Sequence, residues 1–285
     1  MSLTKYLSVV ASAALFSAGM LTSAFAGPER IDSKDKMIMA PPECDPRWYV
    51  SLGGSVDFDV NSDFASGFTA EPIGAADVTI KSRDYDDVFE GTYNIQGEVG
   101  YVLTNHIELF GTFRYTHAES EVVTGSFSDF GNFQLDYVSQ YGDYSSFGGE
   151  LGVRYYFLPK DAKIRPYVSV SGGAAYVEAI GLHADSNFLG TPFTFYDDSF
   201  YDDSIVASVS GLLGVEFNVT CHLAVGIDAG LRWQSELEDD DAGFDRASLA
   251  TMSNTAALTF QRLKDINDEG SRVTVPVTVY AKFRF

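Results

Sequence analysis

Hydrophobic and polar residues alternate along eight stretches of this chain, and the last is the clearest. From Val273 to Phe285 the residues Val273, Val275, Val277, Val279, Ala281, Phe283 and Phe285 share one side, opposite Thr274, Thr278, Tyr280, Lys282 and Arg284. A period of two places alternate side chains on opposite faces of a strand. The same alternation predicts strands over Trp48 to Val60, Phe89 to Leu103, Ile107 to His117, Tyr144 to Leu158, Ile164 to Glu178, Ser204 to Val219 and Cys221 to Gln234, with Arg272 to Phe285 as the eighth. In the second, Phe89, Tyr93, Ile95, Val99, Tyr101 and Leu103 form the apolar face.

The connections alternate too. Short links follow strands two, four and six (104–106, 159–163 and Thr220), and long loops follow the others, over 61–88, 118–143, 179–203 and 235–271. An even strand count with short turns at one end and long loops at the other predicts an all-β, eight-stranded, antiparallel up-and-down transmembrane β-barrel with four long external loops. A soluble barrel of lipocalin type would have the same alternation with its apolar face inside. Two features favour lipid. One face collects glycine and charge (Gly53, Gly152, Gly173, Gly226 and Gly230 with Glu150, Arg154, Asp228 and Arg232). The other is aliphatic with aromatic ends: Trp48, Tyr101, Phe157, Phe283 and Phe285 near the short turns, and Phe58, Phe89, Tyr115, Tyr176 and Trp233 near the long loops.

The N-terminus agrees with export. Lys5, the apolar run Tyr6 to Met20 and the small-x-small site Ala24-Phe25-Ala26 predict a signal peptide over 1–26. Residues 27–47, with Pro28, Pro41 and Pro42, read as a short periplasmic linker, leaving 48–285 for the barrel. Mean hydropathy is −0.03, so a chain that enters lipid must do so as a closed barrel.

The signal peptide, the eight-strand pattern and the terminal Phe285 with Phe283 and Tyr280 resemble the small outer-membrane barrels typified by OmpA and OmpX. The resemblance implies residence in the outer membrane of a Gram-negative-type bacterium. It also implies that Tyr280, Phe283 and Phe285 are read as an assembly signal by the barrel-assembly machinery. The periplasmic wall-binding domain of the longer members is not expected here. Outer-membrane lipid and lipopolysaccharide are the expected surroundings, and the barrel is expected to be a monomer.

Net charge is −21, which opposes binding to nucleic-acid phosphates. The four long loops carry about −4, −5, −5 and −6 of it. Acidic runs at 84–87, 197–198, 202–203 and 238–241 predict a solvated, mobile surface, with divalent-cation binding as the alternative. No stretch has the spacing of an EF-hand loop. Aromatics interleave with these acids, Phe127, Phe130, Phe133, Tyr137 and Tyr141 in one loop and Phe188, Phe193, Phe195, Tyr196, Phe200 and Tyr201 in the next. They predict a contact surface, a self-packed loop layer or an extension of the sheet.

Inward register positions carry Glu98, Arg114, Glu150, Arg154, Glu216, Asp228 and Arg232, joined by Asp57, Glu108, Lys282 and Arg284. Eight strands leave room only for side chains, so these charges predict a hydrogen-bonded filling. Cys44 and Cys221 fall at the periplasmic rim, where a disulfide is possible. His117 with Glu119 and Ser120 is the candidate catalytic group, on the lipid-facing register. No cofactor or metal is expected. The function expected is a non-enzymatic surface or structural role, with a narrow pore and an enzyme acting on outer-leaflet lipid as alternatives.

Overall fold

The fold is that of a computed structural model, which describes residues 46–73, 76–127, 135–188, 191–240, 245 and 270–285. The predicted signal peptide and nearly all of the linker lie outside them. Among the described residues sixteen strands follow one another: β1 (Trp48–Asn61), β2 (Asp63–Ala65), β3 (Phe68–Ile73), β4 (Ala76–Ile80), β5 (Arg83–Asp84), β6 (Phe89–Val102), β7 (Ile107–Ser120), β8 (Val122–Phe127), β9 (Leu135–Tyr141), β10 (Tyr144–Tyr156), β11 (Ile164–Val177), β12 (Ile180–Phe188), β13 (Thr191–Tyr201), β14 (Ser204–Asn218), β15 (Leu223–Gln234) and β16 (Arg272–Arg284). Eight of them close a barrel in the order β1-β16-β15-β14-β11-β10-β7-β6. These are the eight stretches of the alternating pattern, and every neighbouring pair is antiparallel.

The orientation of the two faces separates a membrane barrel from a soluble one. Leu151 is 77% exposed, Leu213 66% and Ile95 61%, while Lys282 and Glu216 are 0% exposed. Each strand therefore turns its apolar residues outward and encloses its charges. Water would not tolerate so large a continuous apolar exterior, whereas acyl chains favour it. The barrel is a transmembrane barrel of the outer-membrane type.

Three details depart from the sequence pattern. Gly91 takes φ of +152° and the β6–β7 register slips between Phe89 and Thr92. A one-residue slip exchanges the faces of a strand, so Phe89 is buried instead of joining the outer aromatic belt. Cys221 belongs to the turn after β14, since β15 begins at Leu223. The long loops also contain regular structure, in place of a wholly mobile surface. β8, β9, β12 and β13 form a four-stranded sheet in the order β13-β12-β9-β8, and β2–β5 and β3–β4 make two small ladders.

The short-turn end is tied together by side chains. Two of its turns share the pattern Thr-x-His followed by an aliphatic residue. Thr104 Oγ1 accepts from the His106 and Ile107 amides, and Thr220 Oγ1 accepts from those of His222 and Leu223. Each histidine then grips the next strand. His106 O accepts from Tyr156 N at 2.7 Å while its Nδ1 lies 2.8 Å from Tyr156 O. His222 repeats this on Arg284, at 2.7 and 2.9 Å. The turn between β10 and β11 is held by Asn218 Nδ2, which donates to Lys160 O and Ala162 O. Just before β1, Arg47 O accepts from Val102 N, the last residue of β6, at 2.7 Å.

Candidate functional site

The interior is filled layer by layer from the short-turn end. At the base, Lys282 Nζ lies 2.8 Å from Glu108 and 2.7 Å from Glu216, and Arg165 lies 3.1 Å from Glu216. Arg284 also pairs with Glu216, and the Tyr156 hydroxyl sits 2.8 Å from it. Above this, Arg154 meets Glu98 through two bonds of 2.9 and 3.0 Å, with its guanidinium 4.8 Å from the Phe110 and Tyr167 ring centres. Tyr167 donates to Asp228 at 2.6 Å. The next level joins Arg114 to Glu150 at 2.9 Å and Arg232 to Asp57 at 2.7 Å, with Ser171 and Ser208 also donating to Glu150. Arg272 closes the series on Asp59 at 2.6 Å.

Among the described residues, seven carboxylates (Asp57, Asp59, Glu98, Glu108, Glu150, Glu216, Asp228) thus face seven cations (Arg114, Arg154, Arg165, Arg232, Arg272, Lys282, Arg284). The lumen is formally neutral. A charge enclosed in a narrow space must be paired and hydrogen-bonded, and nearly every one here is. Large rings complete the filling where glycine leaves room for them. A Cβ on Gly152 would strike the Phe110 ring, and one on Gly214 the Tyr167 ring. A small cavity beside Arg114, Ser146, Glu150 and Ser208 has room for about one water molecule.

A hydrophobic cap covers the long-loop end. Phe64, from β2, is at its centre, with ring centres of Tyr141 at 5.0 Å, Tyr85 at 5.1 Å, Tyr201 at 5.3 Å, Phe89 at 5.4 Å and Phe200 at 5.8 Å. Val88, Ile180, Val206 and Leu237 bury around them. Tyr85 donates to Gly270 O at 3.0 Å and Tyr201 to Phe64 O, so the rings' polar ends are satisfied. Arg272, 4.8 Å from the Tyr85 ring centre, joins this cap to the charged layers below.

All seven residues of the predicted charge cluster lie in the lumen. Sequence reasoning left Arg165, Arg272 and Asp59 out of the inward set, although Arg165 alternates with Ile164 in register. Of the predicted assembly signal, Phe283 and Phe285 face outward at 51% and 59% exposure, and Tyr280 is buried beside Tyr156 and Tyr167. Tyr141, Tyr196, Phe200 and Tyr201 pack into the cap; Phe130 and Phe133 lie outside the described residues. Asp84 precedes a single helical turn, Tyr85–Val88, and burial together with Asp63, Asp86 and Asp87 raises its carboxyl pKa. Among the described residues no three His, Cys, Asp or Glu side chains converge as a metal-binding group. Cys44 lies outside the described residues.

His117 faces outward at the long-loop end of β7. Its ring centre is 5.3 Å from that of Tyr93 and 6.4 Å from that of Tyr115, and its Nδ1 is 3.1 Å from Ser145 Oγ across the β7–β10 ladder. The partner hydroxyl is Ser145, not the Ser120 singled out from sequence. On the protruding sheet, His183 lies with Nδ1 3.2 Å from Asp197 and Nε2 3.2 Å from Asp185.

No protein-family model matches the chain, and no curated protein matches it either. Among solved structures it is similar to Neisserial surface protein A, at 13% identity over 84% of this chain and 97% of that one, with a TM-score of 0.37. It is similar to Ail of Yersinia pestis in complex with the heparin analogue sucrose octasulfate, at 13% identity over 85% and 99% of the two chains and a TM-score of 0.37. It is also similar to the outer membrane protease OmpT from Escherichia coli, at 11% identity over 85% and 98% and a TM-score of 0.33. The barrel rests on this chain's own ladders, and these likenesses assign it no activity.

Proposed function

We propose that this chain is a non-enzymatic outer-membrane barrel that presents a folded, acidic sheet to the outside, in a structural or surface-contact role. One observation carries the reading: the lumen is filled by paired charges and roofed by the Phe64 cap. A transport path needs a continuous wet route, and a neutral, cross-bonded interior under a hydrophobic roof favours a support. The protruding sheet and its acidic loops are then the part that meets a partner, with lipopolysaccharide and the cell exterior as surroundings. The test is conductance across planar bilayers by folded, full-length protein. Silence supports the reading, and steady unitary steps would replace it with the narrow pore.

A second reading rests on the Ser145–His117 pair. A hydroxyl bonded to an imidazole on the lipid-facing surface is the beginning of a nucleophile and its base. The flanking Tyr93 and Tyr115 rings equally suit an interfacial histidine in the aromatic belt, which is why the non-enzymatic reading comes first. Mass spectra of outer-leaflet lipid incubated with the protein and with Ser145→Ala separate the two. Loss of an acyl chain that depends on Ser145 would establish an enzyme.

A further inference from the structure

We propose that His106 and His222 form two equivalent sites, at the short-turn rim, for the ammonium headgroup of an ethanolamine-type phospholipid. Their surroundings are the same. Each stands two residues after a threonine, and each places Nδ1 on a backbone carbonyl of the next strand, Tyr156 O at 2.8 Å or Arg284 O at 2.9 Å. A carbonyl has no proton to give, so Nδ1 must carry one. In the neutral ring that leaves Nε2 as a bare acceptor. Neither Nε2 has a partner among the described residues.

The rings sit where lipid headgroups begin. The His106 ring stacks on Tyr155 at 6.1 Å and the His222 ring on Phe283 at 6.2 Å. Tyr155 and Phe283 face outward, 44% and 51% exposed, at the foot of the wall that meets the acyl chains. Aromatic side chains gather at this depth of a bilayer. What reaches Nε2 there is a donor carried by a lipid. An ethanolamine ammonium carries N–H groups, and a fully methylated choline headgroup has none. Ring faces alone would not separate the two, since both cations are drawn to an aromatic face. The imidazole acceptor is what selects. Charge agrees with a phospholipid. Lys163 is exposed in the β10–β11 turn, between the two histidine turns, within the interfacial layer that holds the lipid phosphates, and Asp161 is the one exposed acidic side chain described at this rim.

The experiment uses folded, full-length protein in vesicles at about pH 8, where an imidazole is ordinarily neutral. Brominated-chain phosphatidylcholine quenches Trp48, which pairs with Phe285, itself stacked on Phe283 beside His222. Trp233→Phe leaves Trp48 as the sole reporter. Unbrominated phosphatidylethanolamine should displace the quencher about three- to tenfold better than unbrominated phosphatidylcholine does. Its monomethyl and dimethyl forms should keep that advantage, which disappears only with the last N–H. Seen from Trp233 in Trp48→Phe, at the long-loop rim, the lipids should not differ. His106→Asn with His222→Asn should abolish the advantage in a barrel that still folds, because the asparagine amide replaces Nδ1 and not Nε2. The methylation series on the parent histidines decides even if that variant does not fold. Equal displacement by ethanolamine and choline lipids, an advantage already gone at the monomethyl lipid, the same advantage at Trp233, or one that survives the double variant would each overturn the proposal. A stronger preference for phosphatidylglycerol, lost in Lys163→Gln, would overturn it too, in favour of a plain charged surface.

Discussion

Replacing Arg154 by methionine tests whether the lumen is held by paired charges. The substitution keeps most of the side-chain volume and removes the guanidinium. Glu98, 7% exposed, then loses the two bonds of 2.9 and 3.0 Å that satisfied it. Leaving one member of a buried pair alone costs about 3–5 kcal/mol. Glu108, 3.7 Å from Arg154, retains Lys282 and Arg165 and adds little to that loss. Contacts of the guanidinium with the Phe110 and Tyr167 rings are worth up to about 2 kcal/mol each when desolvated, and methionine recovers part of this through its own sulfur–ring contacts. The assay is the denaturant midpoint of the refolded barrel, followed by Trp48 and Trp233 fluorescence. The decisive comparison is Arg154→Met with Glu98→Leu, which removes both charges and should return to within about 2 kcal/mol of the parent. A double variant no more stable than the single one would refute the reasoning, as would a single variant that loses less than about 1 kcal/mol.

Three further outcomes are expected. Phe64→Ala removes the centre of the cap at a cost of about 3–5 kcal/mol, so limited proteolysis should cut the long-loop strands while the barrel strands stay protected; an unchanged digest would contradict the cap. Gly173→Ala places a Cβ on the Gly149 carbonyl oxygen and should cost at least the upper part of the ~1–3 kcal/mol range of overpacking, whereas Gly97→Ala, with nothing within 4 Å, should leave the unfolding midpoint unchanged. A hydrogen bond to Asp197, and then one to Asp185, raises the His183 pKa. The doubly bonded form needs both ring nitrogens protonated, so the β12–β13 contact is complete below the ordinary histidine value of about 6.5 and is lost as pH rises through the raised folded value. Ring-proton NMR should place that midpoint above 6.5 and should find it lowered in Asp197→Asn.

The barrel was readable because its signal is local. Period-two alternation needs no knowledge of partners, and it located all eight spanning strands within a few residues of their ends. Whatever depended on pairing was hidden. Nothing beside Phe89 announces that Gly91 shifts the register, and that shift turns an outer-belt residue into part of the cap. The fit of Phe110 over Gly152 and of Tyr167 over Gly214 joins neighbouring strands, so neither glycine explains itself in its own segment. Arg165 was accessible to sequence reasoning, since Ile164 and Val168 fix its side, but it stands only one residue into β11, where a short alternation gives the least signal. The loop strands were foreseen only as one reading, an extension of the sheet, because short length and the adjacent Val122 and Val123 hide any alternation in Val122–Phe127. The Ser145–His117 pair required the β7–β10 register, which no single strand contains.

The ties at the short-turn end run in a circle: His106 to β10, Asn218 to the β10–β11 turn, His222 to β16, and Arg47 back to β6. Together they form a hoop, like the iron band at the foot of a cask. Squeezed sideways by the bilayer, such a wall resists ovalising at that end, so changes in membrane thickness or tension are met by tilting the whole cylinder. The opposite rim, bound by rings and loop strands instead of a band, is where shape can yield.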